Sequence, residues 1–384
     1  MSHYRTRLVS PGPVDVPPQV LEASAKPMIH HRSAEFKQIF LATREKLAKL
    51  AWVPGEDVLI LAASGTAAFE AGLISSVPKG AKVIGINAGK FGERWVKVAK
   101  SYGYEVVEMK LSWGEVADPA EVAKLIAQHP DAKALMTTHS ETSTGALHDV
   151  AEIAKAARKQ NPDLLILVDC VTSLGVSEVK PKDWDIDGMF SGSQKGLMCP
   201  PGLAFAWLSE RAWASAADNK GTLNSSFYLD LVKERKAQQK GETAYTAAVS
   251  LVRALDAALD LILAEGIVAL WRRKKQMNDA ILAAGTALDC EIFAKRPSPA
   301  VAALKVPSHI SAPAVVKAFA KRGMEIAGGQ DESKPYLIRP SVMGYFDRYD
   351  VLAVVAALEE VLAELGQQVT QGLALGKAFN FLQT

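Results

Sequence analysis

The sequence predicts an α/β protein with a large, mainly parallel sheet and a second, smaller α+β domain. Short β-rich runs alternate with helical patterns from Asp57 to about Leu208, which is typical of a parallel sheet. The predicted strands are apolar along their whole length, as expected when helices cover both faces of the sheet. A chain of 384 residues also exceeds the usual size of one hydrophobic core, so two domains are expected.

The elements of the large domain follow one another in a regular order. A first helix is predicted over residues 34–51, because Phe36, Phe40 and Leu47 recur on one of its faces. The predicted strands are residues 58–61, 83–86, 105–109, 134–138, 164–168 and 188–191. The predicted helices that separate them are residues 67–77, 93–102, 119–128 and 150–160.

The pattern changes after a long helical region, residues 246–281. The strands predicted beyond it are residues 288–294, 300–306, 324–327 and 336–340, with helices at 312–322 and 351–365. This mixture predicts an α+β domain of about a hundred residues, a common domain size. We place the boundary near Gly266, which gives a large domain with an N-terminal arm, 1–266, and a small domain, 267–384. The pattern of the tail, 367–384, is ambiguous and is compatible with a docking arm.

The composition excludes several classes of protein. Charged residues make up 22% of the chain and the net charge is +2, without a basic block, so no nucleic-acid partner is expected. The apolar stretch at 254–271 contains Asp256, Asp260 and Glu265, so it predicts a buried helix and not a membrane span. Residues 1–10 lack the apolar run of a signal peptide.

Cysteine usage indicates a reducing compartment. The chain has three cysteines, Cys170, Cys199 and Cys290, and their spacing is not that of a metal site. An odd number of widely spaced cysteines does not predict a disulfide framework. We therefore expect a cytoplasmic protein without a bound metal.

One lysine stands out for its surroundings. Lys195 lies among small residues just after an apolar strand, in Ser191-Gly192-Ser193-Gln194-Lys195-Gly196. A lysine amine in such a place can form a Schiff base with an aldehyde cofactor, and pyridoxal phosphate is the usual one. A solvated lysine in a Gly/Ser turn is the alternative at this point.

A possible phosphate-binding loop lies earlier in the chain. Ser64-Gly65-Thr66 follows a strand and precedes a helix, which is how a chain presents unpaired backbone N–H groups to a phosphate. The helix dipole and the two hydroxyls would add to the attraction. A simple helix N-cap, formed by Ser64 or Thr66, is the alternative.

Asp169 directly follows the apolar strand predicted at 164–168. The carboxyl ends of parallel strands face the ligand crevice, and a carboxylate there could pair with a protonated pyridine nitrogen. Lys195 follows Asp169 by 26 positions, which leaves room for a crossover and one more strand. The alternative is a helix-capping or solvated aspartate.

In this order, these motifs resemble those of the class V, fold-type I pyridoxal-phosphate aminotransferases. Within that family the chain is most similar to alanine–glyoxylate and serine–glyoxylate (serine–pyruvate) aminotransferases, and the resemblance covers nearly the whole chain from Pro11-Gly12-Pro13 onward. The most specific motifs are His139-Ser140-Glu141-Thr142-Ser143-Thr144-Gly145, Val168-Asp169-Cys170-Val171-Thr172-Ser173-Leu174-Gly175 and Ser191-Gly192-Ser193-Gln194-Lys195.

The resemblance implies a role for each matching residue. Lys195 matches the Schiff-base lysine and Asp169 the partner of the ring nitrogen. Val171 and Phe91 match the residues on the two faces of the cofactor ring, and Thr142 the hydroxyl near its phenolic oxygen. The implied phosphate contacts are Ser64, Gly65, Thr66 and Gln194, with Thr243 and Thr246 from the neighbouring subunit of a homodimer. Relatives can have tyrosine at the position of Thr243.

The implied substrate residue is Arg339, which matches the arginine that binds the substrate α-carboxylate. A guanidinium binds a carboxylate bidentately, and the carboxylate is what an amino acid and a 2-oxo acid share. Arg32 lies early in the chain, where the resemblance implies that N-terminal residues approach the mouth of the active site; a pocket role and a surface or interface role are both open for it.

The resemblance implies a ping-pong transamination. Lys195 would move a proton between the substrate α-carbon and the cofactor, with alanine or serine as donor and glyoxylate or pyruvate as acceptor. Aspartate and 2-aminoethylphosphonate remain alternative donors, although each should need a second cation. A cysteine desulfurase is disfavoured because no cysteine lies between Cys290 and Arg339. A non-catalytic subunit is a further alternative, since some family members are labelled hydrogenase-associated subunits.

Overall fold

The computed structural model of the chain describes residues 6–218, 221 and 226–382. It confirms an α/β fold with a large, mainly parallel sheet and a smaller C-terminal α+β part. The strands are β1 (Arg7–Leu8), β2 (Val58–Leu61), β3 (Lys82–Asn87), β4 (Glu105–Lys110), β5 (Ala134–Thr138), β6 (Ser140–Glu141), β7 (Ala146–Leu147), β8 (Leu165–Asp169), β9 (Gly188–Gly192), β10 (Ala204–Leu208), β11 (Glu291–Ile292), β12 (Leu304–Lys305), β13 (Met324–Glu325), β14 (Ala327–Gly328) and β15 (Leu337–Arg339).

Most of the helices lie where the 3.6-residue pattern of apolar residues predicts them. They are α1 (Pro18–Ser24), α2 (Ala34–Leu50), α3 (Gly65–Ser76), α4 (Lys90–Ser101), α5 (Pro119–Gln128), α6 (Val150–Gln160), α7 (Glu210–Asp218), α8 (Leu231–Gln238), α9 (Val249–Glu265), α10 (Ile267–Thr286), α11 (Ala312–Lys321), α12 (Arg348–Glu364) and α13 (Leu373–Leu382), with a 3₁₀ turn at Asp331–Ser333. The long helical region is two helices, because Gly266 between them has a φ of +88°.

The large sheet has seven strands in the order β2-β10-β9-β8-β5-β3-β4. All of them are parallel except β10, which is antiparallel to both β2 and β9. Strand β10 is absent from the sequence predictions. Its five residues are all buried, and a short buried apolar run carries no signal for its direction.

This topology places several loops at one edge of the sheet. The parallel strands β2, β8 and β9 end there, next to Ser64, at Asp169 and before Lys195 respectively. In open α/β sheets this carboxyl edge is where ligands bind.

The C-terminal part is built on a four-stranded antiparallel sheet, β11-β12-β15-β14. Its strands are only two or three residues long, shorter than predicted. Beyond the ends of these strands the backbone segments are joined by isolated hydrogen bonds, such as the 2.9 Å bond that the Ala302 N–H donates to the Pro340 carbonyl. The tail is helix α13, which buries Ala374 and Ala378 in the C-terminal core.

The N-terminal segment crosses to the C-terminal part. Strand β1 pairs in parallel with β13, and Val9 is buried in the core formed by α10, α11 and α12. The division of the chain after residue 266 stays a prediction.

The described residues contain neither a membrane-spanning helix nor a cluster of potential metal ligands. No helix in 6–218, 221 and 226–382 is long and apolar enough to cross a membrane. In the same residues, no group of three or more His, Cys, Asp or Glu side chains could hold a metal ion.

Candidate active site

Lys195 lies half-buried beside the N-terminal segment. Its Nζ donates a hydrogen bond to the carbonyl oxygen of Pro11. Gly12 has a φ of +98°, and a Cβ added there would stand 2.6 Å from Lys195 Nζ. The backbone of residues 11–12 is therefore a wall of the lysine's site, and only glycine fits at position 12.

The environment of Lys195 makes its amine a better nucleophile than an ordinary lysine. Burial lowers the pKa of Lys195 to about 8, with Arg339 and Arg94 lowering it further and Asp169 opposing them. A useful fraction of the amine is then neutral near pH 7–8, as a bond to an aldehyde requires. The alternative of a fully solvated turn lysine is excluded.

Asp169 is 6% exposed at the end of β8. Its Oδ1 accepts a 2.8 Å hydrogen bond from the Val171 N–H. Burial raises the pKa of Asp169 to about 7; the Val171 bond opposes this, Glu141 adds to it, and Arg94 and Lys195 oppose it. A buried carboxylate of this kind is stabilised by a cationic partner, which a protonated pyridine nitrogen would supply.

The loop at the start of α3 is not a simple N-cap. Ser64 occupies the N-cap position, yet its side chain makes no capping hydrogen bond. The Thr66 hydroxyl accepts instead from Arg94 Nη1, at 3.1 Å. Among the described residues, the N–H groups of Gly65 and Thr66 have no acceptor, as is usual in a helix's first turn. These free donors favour a bound anion over capping.

Gln194 adds an unpaired polar group beside this loop. Its Oε1 is buried and has no hydrogen-bond partner in the part of the chain that the structure describes. A Cβ built on Gly192 would lie 3.1 Å from this oxygen and 3.5 Å from the Gly65 nitrogen, so the amide borders the helix start. An unpaired buried amide next to free N–H groups fits the phosphate end of the predicted cofactor.

Gly65 also sets the distance between the loop and Val171. A Cβ at Gly65 would stand 2.6 Å from Val171 Cγ2, closer than real atoms approach. The start of α3 therefore lies directly against the side chain predicted to contact one face of the cofactor ring.

Glu141, which the sequence analysis did not select, fixes the start of α4. This buried carboxylate accepts from the N–H groups of Phe91 (3.1 Å), Gly92 (2.9 Å) and Ser143 (3.1 Å). Burial raises the pKa of Glu141, and these hydrogen bonds oppose the rise. The signal that could have identified Glu141 is an acidic residue just beyond an apolar strand, within the motif at residues 139–145.

Arg339 lies at the end of β15 and is 5% exposed. Its Nη1 donates to the Thr142 carbonyl at 2.7 Å and its Nε to the Gly328 carbonyl at 2.9 Å. Nη2 has no partner among the described residues. Burial lowers the pKa of Arg339 to about 10 and Glu141 raises it, so the group is a buried cation at neutral pH. The Thr142 hydroxyl is 2.6 Å from that of Thr172.

Arg94 is a second residue that the sequence analysis missed. It lies three positions after Phe91 on α4, on the same face of the helix. Its guanidinium carbon is 4.8 Å from the centre of the Phe91 ring. It is also close enough to Asp169 and Lys195 to lower the pKa of both.

Thr243 and Thr246 lie apart from this cluster within one chain. The Thr243 hydroxyl donates to the Tyr245 carbonyl, and Thr246 is exposed. Neither makes a hydrogen bond to the cluster within the described residues, and their contribution to a neighbouring subunit stays a prediction. Arg32 is exposed and pairs with Glu242 at 3.3 Å.

The geometry agrees with comparisons to known proteins. Residues 9–354 match the family described as Aminotransferase class-V. The chain is 40% identical over 388 residues to the soluble hydrogenase, small subunit, of Synechococcus sp. strain PCC 6716, covering 99% of each chain. It is 30% identical to serine–glyoxylate aminotransferase of Hyphomicrobium methylovorum, covering 97% of this chain and 94% of that one.

A solved structure gives the same result. The aspartate aminotransferase of subgroup IV from Thermus thermophilus superimposes with a TM-score of 0.87 at 40% identity, covering 94% of this chain and 99% of that one. The predicted family is thereby confirmed, whereas the named substrates of these relatives differ.

Proposed function

The chain belongs to the class V aminotransferases, and we propose that it transfers an amino group from a small neutral amino acid to a 2-oxo acid, using pyridoxal 5′-phosphate. The observation that carries the proposal is the convergence of Lys195, Asp169 and Arg339 at one edge of the sheet, where each alters the charge state of a neighbour. Donor and acceptor are alanine or serine and glyoxylate or pyruvate.

Some residues of the cluster bind the substrate or the cofactor, and Lys195 transfers the proton. When bound, pyridoxal phosphate supplies an aldehyde carbon and an electron-withdrawing ring. Arg339 holds the substrate carboxylate, which fixes the α-carbon near Lys195. Lys195 Nζ removes the α-proton and returns a proton in the reverse half-reaction, because its lowered pKa lets it act as both base and acid. Asp169 would hold the ring nitrogen, and a protonated nitrogen would in turn favour the carboxylate form of Asp169.

The charges around the cluster favour small neutral donors. A dicarboxylate or phosphonate donor should need a free second cation. Arg32 is paired with Glu242 at 3.3 Å, and Lys90 is paired with Asp331 at 2.6 Å and Glu93 at 3.0 Å. Arg94 has no ion pair within the described residues, but its guanidinium is directed at Thr66 in the predicted phosphate loop. Aspartate is the second candidate donor, because the solved structure that is 40% identical is named an aspartate aminotransferase.

The cysteines argue against a desulfurase. Cys170, Cys199 and Cys290 are all buried. Burial raises the pKa of Cys199 and Cys290 to about 12 and that of Cys170 still higher, so none supplies a thiolate at neutral pH. Three free thiols also support the predicted reducing, cytoplasmic compartment.

A non-catalytic subunit is disfavoured by the same cluster. A protein that only binds a partner has no need for a buried cation, a buried acid and a lysine with a lowered pKa in one place. The name of the Synechococcus relative therefore does not lead us to propose a hydrogenase role for this chain.

We further propose a homodimer with shared active sites, in which Thr243 and Thr246 reach the neighbouring subunit's phosphate. The surface near them supports an interface, since Phe227 and Met28 are exposed by 82% and 69%. The ring of Phe227 lies 5.8 Å from the ring of Tyr245, and Met28 borders the same surface depression as Thr246; contiguous exposed apolar patches are typical of interaction surfaces.

A donor panel tests the function. Purified protein with pyridoxal phosphate is mixed with alanine, serine, aspartate or 2-aminoethylphosphonate, with glyoxylate or pyruvate as acceptor, and both products are quantified. We expect alanine or serine to give the highest kcat/KM and Lys195→Ala to give no turnover. A higher kcat/KM for aspartate would select the second candidate, and turnover by Lys195→Ala would refute the lysine's role.

A further inference from the structure

The predicted phosphate contacts carry no positive charge. Within one chain they are the hydroxyls of Ser64 and Thr66, the N–H groups of Gly65 and Thr66, and the amide of Gln194. The predicted contacts from a neighbouring subunit are two more hydroxyls. A phosphate monoester carries about −1.5 to −2 charges near pH 7. A helix N-terminus offsets only about half a charge, so this set leaves the phosphate under-neutralised.

Arg94 is placed to supply the missing charge. Its Nη1 lies 3.1 Å from Thr66 Oγ1, one of the predicted phosphate contacts. The side chain reaches there from α4 across the ring of Phe91, 4.8 Å from its centre. It therefore spans the distance between the ring site and the phosphate loop.

Among the described residues, Arg94 differs from the other charged side chains of α4 because it has no ion pair. On the same helix, Glu93 pairs with Lys90 (3.0 Å) and Lys97 (2.7 Å), and Lys100 pairs with Glu108 (3.6 Å). Arg94 forms no ion pair with a carboxylate within 6–218, 221 and 226–382. It is the charged side chain of α4 that faces the phosphate loop and is not neutralised.

The other cations of the site have different partners. Lys195 Nζ is the atom that binds the cofactor aldehyde under the proposed function. Arg339 uses Nη1 and Nε on the carbonyls of Thr142 and Gly328. Under the proposed function the remaining Nη2 of Arg339 serves the substrate carboxylate, so neither cation is assigned to the phosphate.

From these observations we infer that Arg94 is a cofactor-binding residue whose guanidinium pairs with the phosphate of pyridoxal phosphate beside Thr66. The inference rests on the proposed function, because it presupposes that cofactor. A charge-assisted hydrogen bond is about twice as strong as a neutral one, and a guanidinium matches the geometry of a phosphate.

The test separates the phosphate from the ring. Apoprotein is titrated with pyridoxal phosphate and, separately, with pyridoxal, which lacks the phosphate, and the dissociation constants come from the absorbance of the complex at Lys195. Arg94→Gln should weaken pyridoxal phosphate by about 10- to 100-fold, the range for one charge-assisted hydrogen bond. Pyridoxal affinity should stay within about twofold, and inorganic phosphate should compete less well than in the wild type.

Two further variants complete the experiment. Lys97→Gln removes an exposed cation one turn away on α4 and should change neither affinity. Arg94→Lys keeps the charge and should recover part of the lost affinity. Thermal unfolding of the apoproteins verifies that each variant is folded.

The outcomes are distinguishable. Equal losses of pyridoxal phosphate and pyridoxal affinity in Arg94→Gln would mean that Arg94 acts on the ring or the fold, and would overturn the inference alone. Unchanged affinity for both would overturn it as well. The proposed function predicts that wild-type protein forms a complex with pyridoxal phosphate and that Lys195→Ala abolishes this complex. If no such complex formed, the proposed function would fail together with the inference.

Discussion

The Nη1 of Arg339 donates a 2.7 Å hydrogen bond to the carbonyl oxygen of Thr142, a residue 197 positions earlier in the chain. This bond joins the C-terminal sheet to a motif at the carboxyl edge of the large sheet. The guanidinium that we propose to bind the substrate carboxylate is therefore held at a set distance from the residues predicted to surround the cofactor ring. Substrate orientation depends on this junction between the two parts of the chain.

Replacing Arg339 by lysine should raise KM much more than it lowers kcat. Lysine keeps the charge but loses the two-pronged contact with a carboxylate, which should lower kcat/KM for the amino donor by about 10- to 100-fold. Steady-state kinetics with the preferred donor measures the change. Arg322→Lys, at a partly buried arginine just after α11 that pairs with Glu360, is the matched control and should show the kinetics of the wild type. A kcat/KM within twofold of wild type for Arg339→Lys would contradict the assignment.

Replacing Asp169 by asparagine should stabilise the protein without cofactor while abolishing transamination. In the folded protein burial raises the pKa of Asp169 from 3.8 to about 7, so the wild type loses stability as pH rises through this interval. Asparagine keeps the acceptor for the Val171 N–H and carries no charge. The variant should therefore be more stable above pH 7 by roughly 2–4 kcal/mol, and equal to wild type below about pH 4.

Urea unfolding of both apoproteins across this pH range measures the difference. Groups that titrate identically in the two proteins contribute equally to both unfolding free energies, so they do not affect the difference between them. A stability difference that stays constant from pH 4 to pH 8 would show that Asp169 does not titrate as we expect.

Replacing Glu141 by glutamine should loosen the start of α4. The carboxylate accepts from three backbone N–H groups, and glutamine offers one acceptor oxygen and an NH₂ group. At least one buried N–H then loses its partner, which should cost about 1–3 kcal/mol of unfolding free energy. Pyridoxal phosphate should also bind more weakly, because Phe91 is held by this contact. Glu121→Gln, at an exposed acid, is the control, and equal stability of the two variants would contradict the role.

The positions of the charged groups at the strand ends could be predicted from the sequence, whereas the groups that contact them could not. Asp169 and Lys195 follow buried apolar strands, and parallel strands bring such positions to one edge. Glu141, Arg94 and the Pro11 carbonyl reach the site through contacts between distant segments. Hydrophobic periodicity contains no information on such contacts, and it equally could not indicate that β10 runs antiparallel.

Replacing Gly65 by alanine should weaken cofactor binding, because the new methyl group would stand 2.6 Å from Val171 Cγ2. Either α3 or Val171 must move, and both border the predicted cofactor site. We expect the dissociation constant of pyridoxal phosphate to rise at least about tenfold, as for the loss of one good contact. The double variant Gly65→Ala with Val171→Ala removes the collision and should recover part of the affinity.

The matched control is a glycine with open space around it. Gly376, in helix α13, has no atom within 4 Å of an added Cβ, so alanine there should leave cofactor affinity unchanged. If Gly65→Ala bound pyridoxal phosphate as tightly as Gly376→Ala, the start of α3 would not be part of the site.

Mixed dimers decide whether Thr243 and Thr246 serve the neighbouring subunit. Neither Lys195→Ala nor the double variant Thr243→Ala with Thr246→Ala should form a fully effective site in its own homodimer. In a hybrid, the lysine of the threonine variant meets the intact threonines of the other chain, so one site per dimer is complete.

Subunits are mixed under exchange conditions, and pyridoxal phosphate affinity and turnover are compared with those of each parent. Hybrid sites that bind the cofactor as tightly as wild type support the shared site. If the threonines acted within their own chain, the only sites with a lysine would still lack them, and mixing would give no gain.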